Sequence, residues 1–139
     1  MKILSVDYGD ARTGIACCDA GEMLASPVCT LFEHNRERLL DRVAALASEH
    51  GAGEIVVGNP LNMNGTAGPR SELARQFAEE LRARTAIPVV LWDERSTTVS
   101  AIGILNAADV RGKKRKAVID SVAAVLILEN YLAYRKNKG

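Results

Sequence analysis

Residues 2–18 of the chain read KILSVDYGDARTGIACC, two short apolar runs separated by a cluster of turn-forming residues. Residues 2–6 alternate as a strand does and stop at the turn-rich cluster that begins with Asp7. Residues 13–18 predict a second strand and residues 23–31 a third. Because strands this close along a chain pair as hairpins, the start of the sequence predicts an antiparallel meander of three strands.

After residue 32, helical spacing of apolar residues alternates with short β-branched runs. The predicted elements are a helix around residues 39–47, a strand over 54–57, a helix opened by Pro69, a strand over 88–92, a helix from Ser96 or Thr97 to about Asn106, and a helix from about Ala117 to Tyr134. This order predicts an α/β fold, a five-stranded mixed sheet with helices on both faces. Ligands of such sheets bind beyond the carboxyl ends of the parallel strands, here strands one, four and five.

Composition excludes several classes of protein. A length of 139 residues, with 47% hydrophobic and 25% charged residues, predicts one globular domain over residues 1–139. The longest apolar run, seven residues from Val122 to Leu128, is much shorter than a membrane span of about twenty. The apolar start of the chain ends at Asp7, too early for a secretion signal. Three cysteines without a Cys-x-x-Cys pair predict buried thiols in a reducing compartment, so we expect a cytoplasmic protein that does not enter membranes.

Charge is unevenly distributed along the chain. Residues 1–110 carry ten Lys and Arg against fifteen Asp and Glu, whereas residues 111–139 carry eight against two. Five of those eight basic residues fall within residues 111–116, RGKKRK. Such a run is either a solvated loop or a contact for a polyanion. The candidate phosphate contacts in it are Lys113, Lys114 and Lys116.

Acidic residues follow two of the three strand ends and occur on the last helix. Asp7 ends strand one, Asp93 and Glu94 end strand five, and Asp120 stands among Val, Ala, Ile and Leu. Each alone has an ordinary explanation as a turn or helix-start residue. If the last helix packs near strand one, Asp7, Glu94 and Asp120 converge and offer the oxygen ligands that Mg²⁺ or Mn²⁺ prefers. Two such ions would activate a water and stabilise the leaving oxygen in phosphodiester hydrolysis.

Strand four ends instead in an acid-free loop, residues 58–68, GNPLNMNGTAG. Its glycines, amide side chains and backbone N–H groups precede a helix and suit a phosphate, although an ordinary surface loop has the same composition. Two arginines near the strand ends could each grip phosphate through paired hydrogen bonds or pair with neighbouring acids. The candidate substrate contacts here are Asn59, Asn62, Asn64, Arg12 and Arg95.

Four motifs in this order resemble the YqgF family, also called RuvX or Holliday-junction-resolvase-like. They are Asp-x-Gly-x-x-Arg-x-Gly at residues 7–14, the loop at 58–68, Asp-Glu-Arg-x-Thr-Thr at 93–98 and Asp-Ser-x-Ala-Ala at 120–124. The resemblance covers nearly the whole chain and implies an RNase H-like fold. It also implies a metal-dependent nuclease that matures the 5′ end of pre-16S ribosomal RNA during ribosome biogenesis.

The resemblance implies that Asp7, Glu94 and Asp120 are the catalytic acids and the metal ligands. Ser96 departs from the larger apolar residue expected in the third motif, a difference that does not touch the acids. RuvC-like relatives have their second acid after strand four, where this sequence holds residues 58–60, Gly-Asn-Pro. Between the two adjacent acids of strand five, we assign the metal ligand to Glu94 rather than Asp93.

Three other functions are compatible with parts of this pattern. Kinship to RuvC suggests a Holliday junction resolvase that acts on branched DNA in recombination and repair. A non-catalytic nucleic-acid-binding factor could retain the fold, although carboxylates near phosphates weaken binding unless a metal bridges them. A sugar-kinase or actin-like ATPase also begins its phosphate loop with Asp-x-Gly, but it encloses the nucleotide between two such domains. The pattern predicts neither protein partners nor an oligomeric state.

Overall fold

The computed structural model describes residues 1–9, 11–60, 68–93 and 112–138, with the backbone alone at 93, 112–121 and 137–138. The strands are β1 (Ile3–Asp7), β2 (Arg12–Cys18), β3 (Ala25–Phe32), β4 (Glu54–Asn59) and β5 (Val89–Asp93). The helices are α1 (Arg36–Glu49), α2 (Pro69–Arg82) and α3 (Gly112–Lys138). The helix predicted from Ser96 or Thr97 to about Asn106 lies outside the described residues.

The five strands form one mixed sheet in the order β3-β2-β1-β4-β5. β1 pairs antiparallel with β2 and parallel with β4, and β4 pairs parallel with β5. The antiparallel meander and the mixed sheet predicted from the sequence are both confirmed. As a result, the carboxyl ends of β1, β4 and β5 meet at one edge of the sheet.

The sheet is covered on both sides, as predicted. On one side, called here the α1/α2 face, Leu4 and Val6 of β1 pack in a core with apolar residues of α1 and α2. On the other side, the α3 face, Ile3 of β1 and Val56 of β4 pack against α3. The helical residues of the two cores are Leu39, Leu40, Val43, Phe77, Ala78 and Leu81 on the first side, and Ala124, Ile127, Leu128, Tyr131 and Leu132 on the second. β1 is therefore buried on both faces at the centre of the molecule.

The ends of the first two helices follow from the local sequence. Asn35 caps α1, its side-chain oxygen accepting a hydrogen bond from the Arg38 N–H at 3.0 Å. Gly51 follows α1 with φ +67°, a left-handed conformation that glycine adopts without strain. Pro69 occupies the first turn of α2, where its missing N–H costs no helical hydrogen bond.

Three predicted boundaries were wrong, one of them the end of α3, which reaches Lys138 rather than Tyr134. α3 begins at Gly112, five residues before the predicted start at Ala117, so residues 112–116 of the basic run are helical rather than a loop. Lys and Arg are good helix formers, and the run contains no helix breaker after Gly112. β3 begins at Ala25 rather than residue 23, because the Asp19 carboxylate accepts hydrogen bonds from the N–H groups of Met23 and Leu24 and holds them in a turn.

The cysteines are free thiols, as expected. Cys17 lies in the core of the α1/α2 face and Cys18 in the core of the α3 face, as strand alternation requires, whereas Cys29 is half-buried rather than buried as expected. Burial raises the pKa of all three thiols, which keeps them protonated at neutral pH. Of the helices described, none combines the length and the apolar character that a membrane span requires.

An ion-pair cluster ties the two ends of the chain together. Arg135, near the end of α3, donates a hydrogen bond to the Glu22 carboxylate at 2.8 Å, and the amino group of Met1 lies 3.3 Å from the same carboxylate. The Arg135 hydrogen bond is the main reason that the pKa of Glu22 is lowered, while partial burial acts against it. The cluster fixes the carboxyl-terminal turns of α3 over the amino-terminal end of β1.

We predict that Glu22→Gln destabilises the fold by about 0.5–1 kcal/mol at pH 7, the size of a partly exposed ion pair. Because the folded-state pKa of Glu22 is lowered, its contribution is complete above the unfolded-state pKa of about 4.3 and is lost as pH falls through the folded-state value. Urea unfolding of both proteins at pH 7 and pH 3 measures the difference, which should shrink at pH 3. The exposed Glu129→Gln is the matched control on α3; an equal loss there would contradict the assignment.

Candidate active site

Asp7 lies at the carboxyl end of β1 with a half-buried side chain. Ile3 packs on the α3 face and Leu4 on the opposite face, so the alternation of the strand directs Asp7 to the α3 face. Its partner across the β1–β2 ladder is Gly14, which adds no side chain beside the carboxylate. The carboxylate therefore stands at the edge of the sheet where the parallel strands end.

Close contacts of the residues that follow Asp7 explain part of the first motif. A Cβ atom added at Gly9 would lie 2.3 Å from the Arg12 carbonyl oxygen, too close for any residue except glycine. Thr13, buried, accepts a hydrogen bond from the Gly9 N–H at 3.4 Å. Tyr8 stacks on Phe77 of α2, with ring centroids 4.4 Å apart. These contacts hold the end of β1, and with it Asp7, against α2.

α3 crosses its face of the sheet antiparallel to β1. Ser5 donates a hydrogen bond to the Ala124 carbonyl oxygen at 2.7 Å, and Tyr131 donates one to the Glu54 carboxylate at the opposite end of the sheet. Burial, with a smaller effect of Glu54, raises the pKa of Tyr131 to about 12, so its phenol remains a donor at neutral pH. Since Asp120 precedes Ala124 by one helical turn, its backbone lies about 6 Å further toward the end of the sheet that carries Asp7.

Asn59 is the last residue of β4 and lies at the same edge of the sheet. Its amide oxygen accepts a hydrogen bond from the buried hydroxyl of Ser71, in the first turn of α2, at 2.6 Å. This bond orients the amide of Asn59, whose N–H₂ group is a hydrogen-bond donor. Beside it, Tyr8 and Gly9 form a small cleft with Leu73 and the exposed Arg70 at the start of α2.

The remaining predicted site residues fall into two groups. Arg12 is the first residue of β2 and is half-buried, and Lys113, Lys114 and Lys116 have their backbone in the first turns of α3. Glu94, Arg95, Asn62 and Asn64 lie outside the described residues. The described part of the chain brings Asp7, Asn59 and the start of α2 to one edge of the sheet.

One of the three carboxylates predicted to hold a metal, that of Asp7, has its side chain described at this edge. Among the described side chains there is no group of three or more His, Cys, Asp or Glu that could hold a metal, and two of the three predicted carboxylates, Glu94 and Asp120, are not among them. Asp7 offers carboxylate oxygens, the donors that Mg²⁺ and Mn²⁺ prefer.

Solved structures identify the class of fold. The chain is similar to RuvC from Thermus thermophilus, with a TM-score of 0.59 and 13% identity over 99% of this chain and 97% of that one. It is also similar to the Holliday junction resolvase of fowlpox virus, with a TM-score of 0.57 and 16% identity over 96% of this chain and 99% of that one. The fold is therefore RNase H-like, of the kind found in resolvases, as predicted from the sequence.

Sequence comparison identifies the family within that class. The family described as "RuvX: Holliday junction resolvase" matches residues 1–134. A "Putative pre-16S rRNA nuclease" of Thermoanaerobacter pseudethanolicus is 42% identical over 99% of this chain and all of its own length. A protein of the same name from Listeria monocytogenes serovar 1/2a is 47% identical over 95% of this chain and 97% of its own. The chain belongs to the RuvX family, also called YqgF.

Sequence reasoning missed three residues that organise this edge. Ser71 carried no signal, because its bond to Asn59 depends on how α2 packs. Tyr8 stood in the first motif only as a variable position, yet it stacks on α2. Ser5 did carry a signal, since it is a single hydroxyl inside the apolar strand Ile3–Asp7.

We predict that Gly9→Ala destabilises the fold by about 1–3 kcal/mol, because the new methyl group must displace the Arg12 backbone. Urea unfolding measures the loss. Gly21→Ala, in the turn between β2 and β3, is the matched control, since its added Cβ would meet nothing nearer than 3.6 Å. Equal stability of the two variants would show that the backbone around Gly9 and Arg12 can move apart at little cost in free energy.

Proposed function

We propose that this protein is a metal-dependent nuclease that hydrolyses phosphodiester bonds of structured nucleic acid. Its substrate in this proposal is the precursor of 16S ribosomal RNA, whose 5′ end it matures. The observation that carries the proposal is the approach of α3 to the end of β1, where Asp7 lies, in a chain of the RuvX family. Comparing cleavage in Mg²⁺, in Mn²⁺ and in EDTA is the direct test.

The catalytic acids in this proposal are Asp7, Glu94 and Asp120, which together would hold Mg²⁺ or Mn²⁺. A pair of such ions, when bound, would activate the attacking water and stabilise the leaving oxygen. The position of Asp7 on the α3 face and the direction of α3 support the inclusion of Asp120. The turn held by Gly9 and Thr13 would keep the Asp7 carboxylate in place during the reaction.

The choice of Glu94 over Asp93 is supported by the alternation of β5. Leu91 packs on the α1/α2 face, whereas Val90 and Trp92 pack on the α3 face with Tyr131. Even-numbered positions of this strand therefore share the side of the sheet that Asp7 occupies. In the proposal, Glu94 is the next residue of that series.

Substrate binding would rest on donors around the same edge. The N–H₂ group of Asn59, held by Ser71, would donate to a phosphate oxygen, and Arg12 would grip another through paired hydrogen bonds. The start of α2, whose cap residue Gly68 makes no side-chain hydrogen bond, adds backbone N–H groups. The proposed contacts from the undescribed segments are Asn62, Asn64 and Arg95. The basic turns of α3 would bind the substrate backbone beyond the acids.

Two observations bear on the choice of substrate. The relatives at 42% and 47% identity carry the name of a pre-16S rRNA nuclease, which favours RNA. The family description and the likeness to RuvC favour a second candidate, a Holliday junction resolvase in DNA recombination and repair. Comparing the cleavage of a 16S precursor with that of a four-way DNA junction distinguishes the two candidates. Binding of both substrates without cleavage would favour the non-catalytic factor.

We interpret residues 1–139 as one nuclease domain, because β1 and α3 pack together across the length of the chain.

We predict that Asp7→Asn abolishes cleavage and leaves the fold intact, because the change keeps the shape and removes the charge that a divalent cation needs. Glu94→Gln and Asp120→Asn should behave alike, and Asp93→Asn should lose much less. Cleavage rates in Mg²⁺ and thermal unfolding are the measurements. Normal cleavage by a folded Asp7→Asn protein would refute the metal site, and a larger loss for Asp93→Asn would reverse the choice between the two acids.

We predict that Lys113→Gln, Lys114→Gln and Lys116→Gln together weaken binding to all substrates alike, because phosphate contacts carry no sequence information. The slope of log affinity against log salt should fall by about 0.7 to 0.9 for each phosphate that is no longer neutralised. Salt titrations of binding in Ca²⁺, chosen to suppress cleavage, measure the slope. The control changes Lys2, Lys136 and Lys138 to Gln, which removes the same charge elsewhere on the chain. Equal slopes for the two triple variants would show that these lysines are exposed to solvent and do not contact the phosphates.

A further inference from the structure

We propose that Ser5 is a positioning residue that fixes the position of α3 along β1 and thereby holds Asp120 beside Asp7. This inference rests on the proposed function, because it assigns Ser5 a role through the acid that α3 carries. Ser5 would touch neither the substrate nor a metal ion. Its effect would pass through one hydrogen bond to the backbone of α3.

Ser5 is buried where an apolar residue would be expected. Its side chain is 0% exposed and lies on the α3 face, between the positions of Ile3 and Asp7. Its hydroxyl donates to the Ala124 carbonyl oxygen at 2.7 Å. Among the described residues it is the one buried serine or threonine on this face, since Thr13 shares the strand parity of Ile15 and Cys17 on the other face, and Ser71 belongs to α2.

This bond requires the helix backbone to lie close to the sheet. Residues with small side chains line the contact: Ala16 is the β2 partner of Ser5, and Ala124 is the helical residue above them, both fully buried. Larger side chains at these two positions would hold the helix backbone away from the sheet and out of reach of the serine hydroxyl. The serine therefore acts at a point where the α3 backbone is bonded directly to β1.

Because of the spacing on both elements, this bond fixes the alignment of Asp120 on α3 with Asp7 on β1. Asp7 lies two residues beyond Ser5 on β1, about 7 Å along the strand. Asp120 lies one helical turn before Ala124, about 6 Å along the helix in the same direction. A slip of α3 by one residue would move Asp120 about 1.5 Å along the axis and turn it by about 100°. The other buried contacts of α3, at Ile127, Leu128 and Tyr131, lie further from Asp7 and constrain it less.

Ser5→Ala tests this inference, with Ile127→Val as the matched control. Ile127→Val removes one methyl group from the same helix–sheet contact and leaves the Ser5 bond intact. We expect Ser5→Ala to lower kcat by about ten- to a hundredfold and to raise the Mn²⁺ concentration for half-maximal rate, as loss of a supporting bond does at metal sites. KM for nucleic acid should stay within about twofold, because substrate binding uses other residues. Ile127→Val should change the melting temperature without these effects.

A readout independent of activity accompanies the kinetics. Amide hydrogen exchange should accelerate in Ser5→Ala over residues 112–124 of α3 and stay unchanged over the carboxyl-terminal turns. If the wild-type protein neither cleaves nor binds Mn²⁺, the proposed function fails while the exchange pattern still decides the role of Ser5. Equal kinetics for the two variants, or exchange that rises evenly along α3, would overturn the inference. If Ser5→Ala does not fold, Ser5→Cys replaces it, because the thiol is a weaker donor than the hydroxyl. This variant must show the same loss of kcat and the same faster exchange over residues 112–124, each to a smaller extent.

Discussion

The two-residue period of β1 is the constraint on which the rest of this structure depends. Because β1 lies at the centre of the sheet and is covered on both sides, each of its side chains is committed to one of two different cores. Leu4 and Val6 anchor α1 and α2, and Ile3 and Ser5 meet α3. The same alternation sends Asp7 to the side of α3 at the end of the strand. A shift of β1 by one residue would exchange the two cores and remove the acid from this edge.

Much of the fold could be predicted because its local signals agree with its tertiary packing. Alternation in residues 2–18, the position of Pro69 and the short buried strands gave the element order, from which the mixed sheet follows. The errors came where one signal was weighed alone. Charge made residues 112–116 look like a loop, although Lys and Arg extend a helix readily once packing further along holds it.

Only those residues of the site that lie at the ends of strands could be placed from the sequence. The placement of Asp7 and Asn59 at the carboxyl edge of the sheet is what the rule for parallel strands predicts. The bonds that fix these residues were not predictable, because they join positions 12 and 119 residues apart and depend on helix packing. The assignments of Glu94, Arg95, Asn62 and Asn64 remain predictions from motif and spacing.

The packing of α3 on β1 also constrains how the chain folds as it is synthesised. β1, β2 and β3 emerge from the ribosome first, whereas α3, which covers one face of them, emerges after all five strands. Until α3 leaves the exit tunnel, Ile3, Ala16 and Val56 lack the apolar cover that this helix provides. Folding dominated by such distant contacts is slow, and exposed sheet faces invite association. One apolar face of the nascent sheet is therefore open to contact with other chains until α3 docks.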